Sequence, residues 1–349
     1  MSRIMKKLII SLAAMLMLSI CATAQDAEDA SILKMKAYTS IEDALKRPND
    51  VVVLDLGNKN LSSVPAQVAQ LKNLKALYIQ GNSITTLPAE LFQLPELRFI
   101  FADQNSISAV PEGISNLKKL KRISLANNRI ADLTPLTNCT SLQSITVSNN
   151  VITTIPASIS NLKSLKELDL SFNRISVFQA NLTNLKDLET LILAGNNITA
   201  IPASAANFKS LKVLYLDNCK VRDISGICNI TTLTRLSLSG CGITSIPVKI
   251  SQLSNLQRLI LSQNTISAVP VELTTLTNLV FLDLSNNRLT RLPNQVSNLV
   301  NLYDFNLCNN LFAQFPELLQ DIKSMKFVGL SGNRTEMMPP MIAYDREVY

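Results

Sequence analysis

The chain has 349 residues, 47% of them hydrophobic and 17% charged, which is enough apolar material for a large buried core. It contains no His, so it lacks the usual general base of Ser and Cys hydrolases and the commonest zinc ligand, which argues against hydrolytic or metal catalysis. The formal charge of +7 includes Arg3, Lys6 and Lys7 and is otherwise spread along the chain with no basic run, which argues against a nucleic-acid partner.

In residues 1–24 these three basic residues precede an apolar stretch from Leu8 to Ile20, and Ala22-Thr23-Ala24 follows. This is the three-part layout of a secretory signal peptide, so cleavage after Ala24 and export to the periplasm, cell surface or exterior are expected. The apolar stretch is too short to span a bilayer comfortably, and no longer one follows, so no transmembrane segment is expected once the leader is removed. Leu18-Ser19-Ile20-Cys21 resembles a bacterial lipoprotein box, which would place a lipid anchor on Cys21. That pattern wants a small residue before the Cys, and Ile20 is large, so cleavage after Ala24 is the first reading. Residues 25–50 then read as an N-terminal linker, acidic at first and mobile over 25–36, followed by a capping helix over 40–47. Ser40 and Asp43 form a capping-box pair, Pro48 ends the helix, and Ile41, Ala44 and Leu45 can cover the first strand.

A repeat fills residues 51–338. Its units begin at Val51, then at Leu74, Leu97 and onward to Met325, in steps of 23 residues with two of 22 after Leu120 and Leu211. That makes thirteen units. Each carries LxxLxLxxNxL, as in Leu165, Leu168, Leu170, Asn173 and Ile175, and most add xxIPxxIxxLxx, as in Ile155-Pro156 followed by Ile159 and Leu162. Alternating buried positions 4 and 6 predict a short strand with one buried face, and stacked units predict a parallel sheet. Asn at position 9 has donors and acceptors for backbone groups that a turn would bury unpaired. Ten units keep it: Asn82, Asn105, Asn128, Asn150, Asn173, Asn196, Asn264, Asn287, Asn310 and Asn333, against Lys59, Cys219 and Cys241. Pro at position 15 predicts an extended exit and a loose turn, with departures in the two 22-residue units and at Phe178-Gln179.

These residues resemble the leucine-rich-repeat family. The repeat variant is similar to bacterial secreted and surface proteins and to plant-resistance and Ras-binding scaffolds. The resemblance implies an α/β solenoid: a curved horseshoe with a parallel sheet on its concave face and short helical, 3-10 or extended segments on its convex face. Residues 339–349 read as a C-terminal cap or tail, with Met337-Met338-Pro339-Pro340-Met341-Ile342 closing the last unit.

Little else carries chemistry. Apart from Cys21 there are five cysteines at unrelated spacings, read as free thiols, although Cys219 and Cys241 share a position in neighbouring units. Asp55, Asp169 and Asp283 lie in units too far apart for a carboxylate pair or a metal cage. No catalytic residue, metal site or cofactor is expected. The candidate binding residues are concave aromatics: Tyr78, Phe99 and Phe101 near one end, Tyr215 midway, and Phe281, Tyr303 and Phe327 near the other, with Phe172 also counted. Arg122 is expected beside Phe99, within reach of a cation–π contact. The expected function is non-enzymatic binding of an unidentified protein through the concave face. Alternatives are a glycan or envelope-polymer ligand on the same face, or a structural spacer.

Overall fold

The computed structural model describes residues 24–334 and 347–348. The expected leader, Cys21 and the apolar segment 337–342 lie outside the described residues, apart from Ala24. The strands follow chain order in one parallel sheet, each pairing with the next. They are β1 (Val53–Asp55), β2 (Ala76–Tyr78), β3 (Phe99–Phe101), β4 (Arg122–Ser124), β5 (Ser144–Thr146), β6 (Glu167–Asp169) and β7 (Thr190–Ile192). The series continues with β8 (Val213–Tyr215), β9 (Arg235–Ser237), β10 (Arg258–Ile260), β11 (Phe281–Asp283), β12 (Asp304–Asn306) and β13 (Phe327–Gly329). A last strand, β14 (Glu347–Val348), pairs with β13.

Each strand covers positions 3 to 5 of its unit, and the register advances by one repeat, so Val53 pairs with Ala76, Phe99 with Arg122 and Arg235 with Arg258. Position 4 turns inward, where Leu54, Leu77, Ile100 and Leu191 are fully buried in one core running from Ala44 to Leu330. No unit can bury its own apolar face alone, so stability comes from stacking. Strands repeat every ~4.8 Å, whereas the bulkier turns opposite need more room, so the sheet lines the inside of the curve.

Two backbone devices make the turn after each strand. Position 8 has positive φ in all thirteen units: six Asn, two Gln, four Gly and Phe172. Short amides and glycine tolerate this region, and a bulky ring tolerates it badly, so Phe172 at φ 53° is the outlier. Position 9 then points inward. Asn105 is typical: its Oδ1 accepts from Ile84 N at 3.0 Å, while its Nδ2 donates to Ile79 O at 2.9 Å and Ala102 O at 3.1 Å. One side chain thus ties the end of its own strand to the preceding unit. Cys219 and Cys241 keep part of this pattern, their thiols donating to Leu193 O and Leu216 O.

On the convex side, Pro65, Pro88 and their equivalents lead into five-residue 3-10 turns such as Ala66–Gln70 and Ala89–Gln93. The 22-residue units do differ: Leu133 and Gly226 enter their turns with helical ψ instead of extended ψ. The departure expected at Phe178-Gln179 does not occur. Gln179 adopts φ −73°, ψ 119°, close to the values proline would impose, and the usual turn Ala180–Asn184 follows. Phe178 is buried edge-on to Phe208.

The N-terminal region departs from expectation in one respect. Helix α2 (Ile41–Lys46) forms with Ser40 as its N-cap, accepting from Asp43 N, and its Ala44 is buried in the core with Ile41 and Leu45 packed against it. Of residues 25–36, expected to be a mobile linker, 25–33 instead lie in helix α1 (Ala24–Leu33). This helix lies on the sheet, with Asp29 and Ile32 buried. No helix among the described residues is long and apolar enough to cross a membrane.

Candidate binding face

Positions 3 and 5 of the strands project from the sheet away from the core, so the in-register pairing turns one sequence position into a row of side chains across the whole face. The position-3 row begins Val53, Ala76, Phe99, Arg122 and ends Arg235, Arg258, Phe281, Asp304, Phe327.

At the near end Tyr78 and Phe101 stack with centroids 4.7 Å apart and planes 14° from parallel. Phe99 is no open anchor: it is only 4% exposed, in an apolar cluster of Val53, Ala76 and Ile32 beneath α1. Arg122 pairs with Phe99 in the backbone register, but its guanidinium lies 3.6 Å from Glu167 Oε2, and Ser144 Oγ donates to the same oxygen at 3.0 Å. A carboxylate two strands away thus takes the arginine expected on the ring. Phe172 does not belong to the aromatic row either, since its left-handed backbone turns it onto Gly195 of the next unit.

The far half is open. Arg258 lies 3.7 Å above the centroid of Phe281, a cation–π contact. Tyr303, 45% exposed, meets Phe327 edge-on at 5.3 Å. Tyr215 is 9% exposed, more enclosed than expected, and burial raises its hydroxyl pKa while the positive charge of Arg235 acts to lower it. Arg235 and Arg258 pair directly on adjacent strands, and neither has a carboxylate within 4.0 Å among the described residues. Reading the aromatics alone missed this pair; the 23-residue spacing of Arg235 and Arg258 was the available signal.

Along the face three acidic side chains are held by nearby donors. Asp103 accepts from Ser124 Oγ and Ala126 N, Asp169 from Ser171 N and Oγ, and Asp217 from Ser237 Oγ and Ser239 N. Burial raises the pKa of all three carboxyls above the ordinary value. The five described cysteines are buried and none is disulfide-bonded to another; burial pushes Cys139, Cys219 and Cys228 up to about 11 and Cys241 to about 12, which keeps those four protonated at neutral pH. Among the described residues, no group of three or more Cys, Asp or Glu is placed to hold a metal ion.

Solved structures similar to the chain include a leucine-rich-repeat protein of Leptospira interrogans, at 26% identity and TM-score 0.63, covering 90% of this chain and all of that one. An internalin of Listeria monocytogenes matches at 24% identity and TM-score 0.78, covering 87% of each chain. The plant peptide hormone receptor RGFR1 in complex with RGF2 matches at 27% identity and TM-score 0.60, covering 78% of this chain and 49% of that one. No curated protein matches significantly. The fold is a general scaffold for protein–protein interaction, so the likeness gives an architecture and leaves the ligand to the side chains. The profile described as a leucine-rich repeat region matches residues 52–143 and 190–337, and a second leucine-rich-repeat profile matches 118–175. With thirteen in-register strands and an inward asparagine after ten of them, the chain belongs to the leucine-rich-repeat family.

Proposed function

We propose that the chain is an exported, non-enzymatic module that binds a protein partner through the far half of its concave face. The observation that carries this reading is the pair Arg235 and Arg258. Two cations on adjacent strands repel, and no described carboxylate lies within 4.0 Å of either. Such an arrangement suits a face whose counter-charge arrives with a ligand. Phe281, Tyr303 and Phe327 surround it with rigid apolar area, and buried aromatic and arginine anchors dominate the energetics of protein interfaces. Export is supported by the basic start, the apolar stretch and the Ala22-Thr23-Ala24 site of residues 1–24.

The test begins with a pull-down from envelope extract, using protein purified from its host after its N-terminus has been read by intact mass. The expected start is Gln25; a lipid-bearing mass beginning at Cys21 would replace export in free form with membrane anchoring. The captured partner is then titrated against two variants, Arg235→Ala/Arg258→Ala and Phe281→Ala/Tyr303→Ala/Phe327→Ala. Each should weaken binding by at least about 2 kcal/mol without changing the fold. Equal affinity for both variants, or capture of a glycan in place of a protein, would sink the reading.

A further inference from the structure

Helix α1 sits where no cap is needed. The open edge of β1 is already covered by α2 and by Tyr38, whose backbone bridges Leu54. α1 instead crosses the face of β1 to β4. The floor of its seat is Val53, Ala76 and Phe99, touched by Ile32, which is 2% exposed. The rim is Lys75, Arg98 and Lys121, each at position 2 of consecutive units. These three lie 23 residues apart and form no run in the sequence, yet the fold stacks them into a basic stripe.

The occupant matches the seat. Asp29 bridges Arg98 at 2.9 Å and Lys121, and Glu28 reaches Arg98 at 3.1 Å and Lys75 at 3.6 Å. Asp29 is 8% exposed. Glu28 and Ile32 are four apart and Asp29 and Ile32 three apart, so all three lie on one helix face. The helix itself is weak: ten residues, polar, with only Asp29 and Ile32 buried among its described side chains. A helix this short is marginal by itself in water, so the seat holds it in shape. The seat is the opposite case, built on strands fixed by the whole solenoid, and its three cations exceed the two carboxylates offered.

We propose that this seat is a docking site for an acidic helix of a partner protein, read as Glu-Asp-x-x-Ile on one face, and that α1 is its displaceable occupant in cis. The seat is separate from the far-half patch, so the two proposals stand or fall apart. A short tether gives α1 a high effective concentration, which a partner must overcome by multiple contacts or by release of α1.

The experiment uses the full mature chain and a fluorescent peptide of residues 25–36 as probe. In the variant Glu28→Lys/Asp29→Lys the helix is repelled from an intact seat, and the peptide should bind one to one, at least tenfold tighter than to the parent chain. Adding Lys121→Glu to that variant should cost the peptide at least tenfold, and raising salt from 50 to 500 mM should weaken it. A second peptide keeping only Glu, Asp and Ile at their spacing, with other positions Ala or Gln, should bind within about fivefold. The far-half triple variant in the same opened background should bind both peptides unchanged. If the double lysine variant misfolds, the milder Glu28→Ala/Asp29→Ala serves the same comparison. Failure of either opened, folded variant to bind the native peptide overturns the proposal. Binding of the native peptide but not the minimal one overturns it too, because the seat would then be a strap for its own helix alone.

Discussion

Asn173 shows how much one side chain carries in this fold. Its Nδ2 donates to Val147 O and Leu170 O at 3.0 Å each, and its Oδ1 accepts from Ile152 N at 3.0 Å, all in the buried interior. Replacing it with Ala leaves these groups without partners, so Asn173→Ala should lose about 1–3 kcal/mol, read as a fall in urea midpoint at unchanged slope. Cys219 occupies the same position with one weak thiol contact to Leu193 O, so Cys219→Ala should lose clearly less. Equal losses would count against the ladder as the reason for Asn. Asp217 carries the opposite lesson. Burial raises its pKa, so the folded state holds its proton more tightly than the unfolded state does. Stability then falls as pH rises from the unfolded value near 3.8 through the folded value, and at pH 7 the buried charge is a net cost. Asn at this site keeps an acceptor for Ser237 Oγ and Ser239 N without the charge. Asp217→Asn should therefore raise the unfolding midpoint at pH 7 and match the parent well below pH 4. A midpoint that drops at pH 7 would show that the hydrogen bonds to the carboxylate outweigh its desolvation.

The elements divide by what makes them legible. The strands could be read from the chain because the cause of each lies within 23 residues: two inward aliphatics, then an inward Asn. The position-8 turn was equally legible, in Asn58, Gly81, Asn127 and Gly195, because Asn and Gly are the residues that most readily take positive φ. Helix α1 could not be read, because AQDAEDASIL has little apolar periodicity and its partners Arg98 and Lys121 lie 69 and 92 residues from Asp29. The same distance hid the burial of Phe99, which the sequence shows only as an aromatic in an exposed register. A helix held by ion pairs should also respond to pH. Hydrogen bonding and charge from Arg98 lower the pKa of Glu28 below its ordinary 4.5, with Lys75 adding to the effect. Its contribution to docking is thus present above the unfolded value and lost as pH falls through the folded one. Acidifying from pH 7 to about 3 should open α1, seen as loss of hydrogen-exchange protection over residues 27–33 while the core strands stay protected. Retained protection at pH 3 would mean that Ile32 and the apolar floor, rather than the ion pairs, hold the helix.

At the scale of the whole molecule, each unit touches only its neighbours, so the solenoid should tolerate loss of a full period and fail on loss of half of one. Removing residues 165–187 joins Ser164 to Leu188 in phase. β5 then meets β7, and Asn196 inherits the role of Asn173, accepting from Ile152 N as it now does from Ile175 N. The deletion also removes the half-buried Asp169 and takes Glu167 from Arg122, changing charge on the face while leaving the core positions of the remaining units as they are. The shortened chain should fold with a parent-like circular dichroism spectrum and a denaturant slope smaller by on the order of a tenth, as expected for less surface exposed on unfolding. Removing residues 165–175 instead puts Ser176 in the place of Leu165 and leaves one unit without its strand and its inward Asn, which breaks the stack between β5 and β7; that chain should not fold as one cooperative array. Both proposed sites lie outside the deleted unit, α1 and its seat on β1 to β4 and the arginine pair on β9 and β10. The deletion brings them closer by about one strand spacing, roughly 4.8 Å, without altering either. The residue 25–36 peptide, tested in the Glu28→Lys/Asp29→Lys background, should keep its affinity. A partner that contacts only the far half should keep its affinity as well. A partner that spans both sites should lose affinity, so this one deletion separates a ligand held at one end of the solenoid from one that lies along its length.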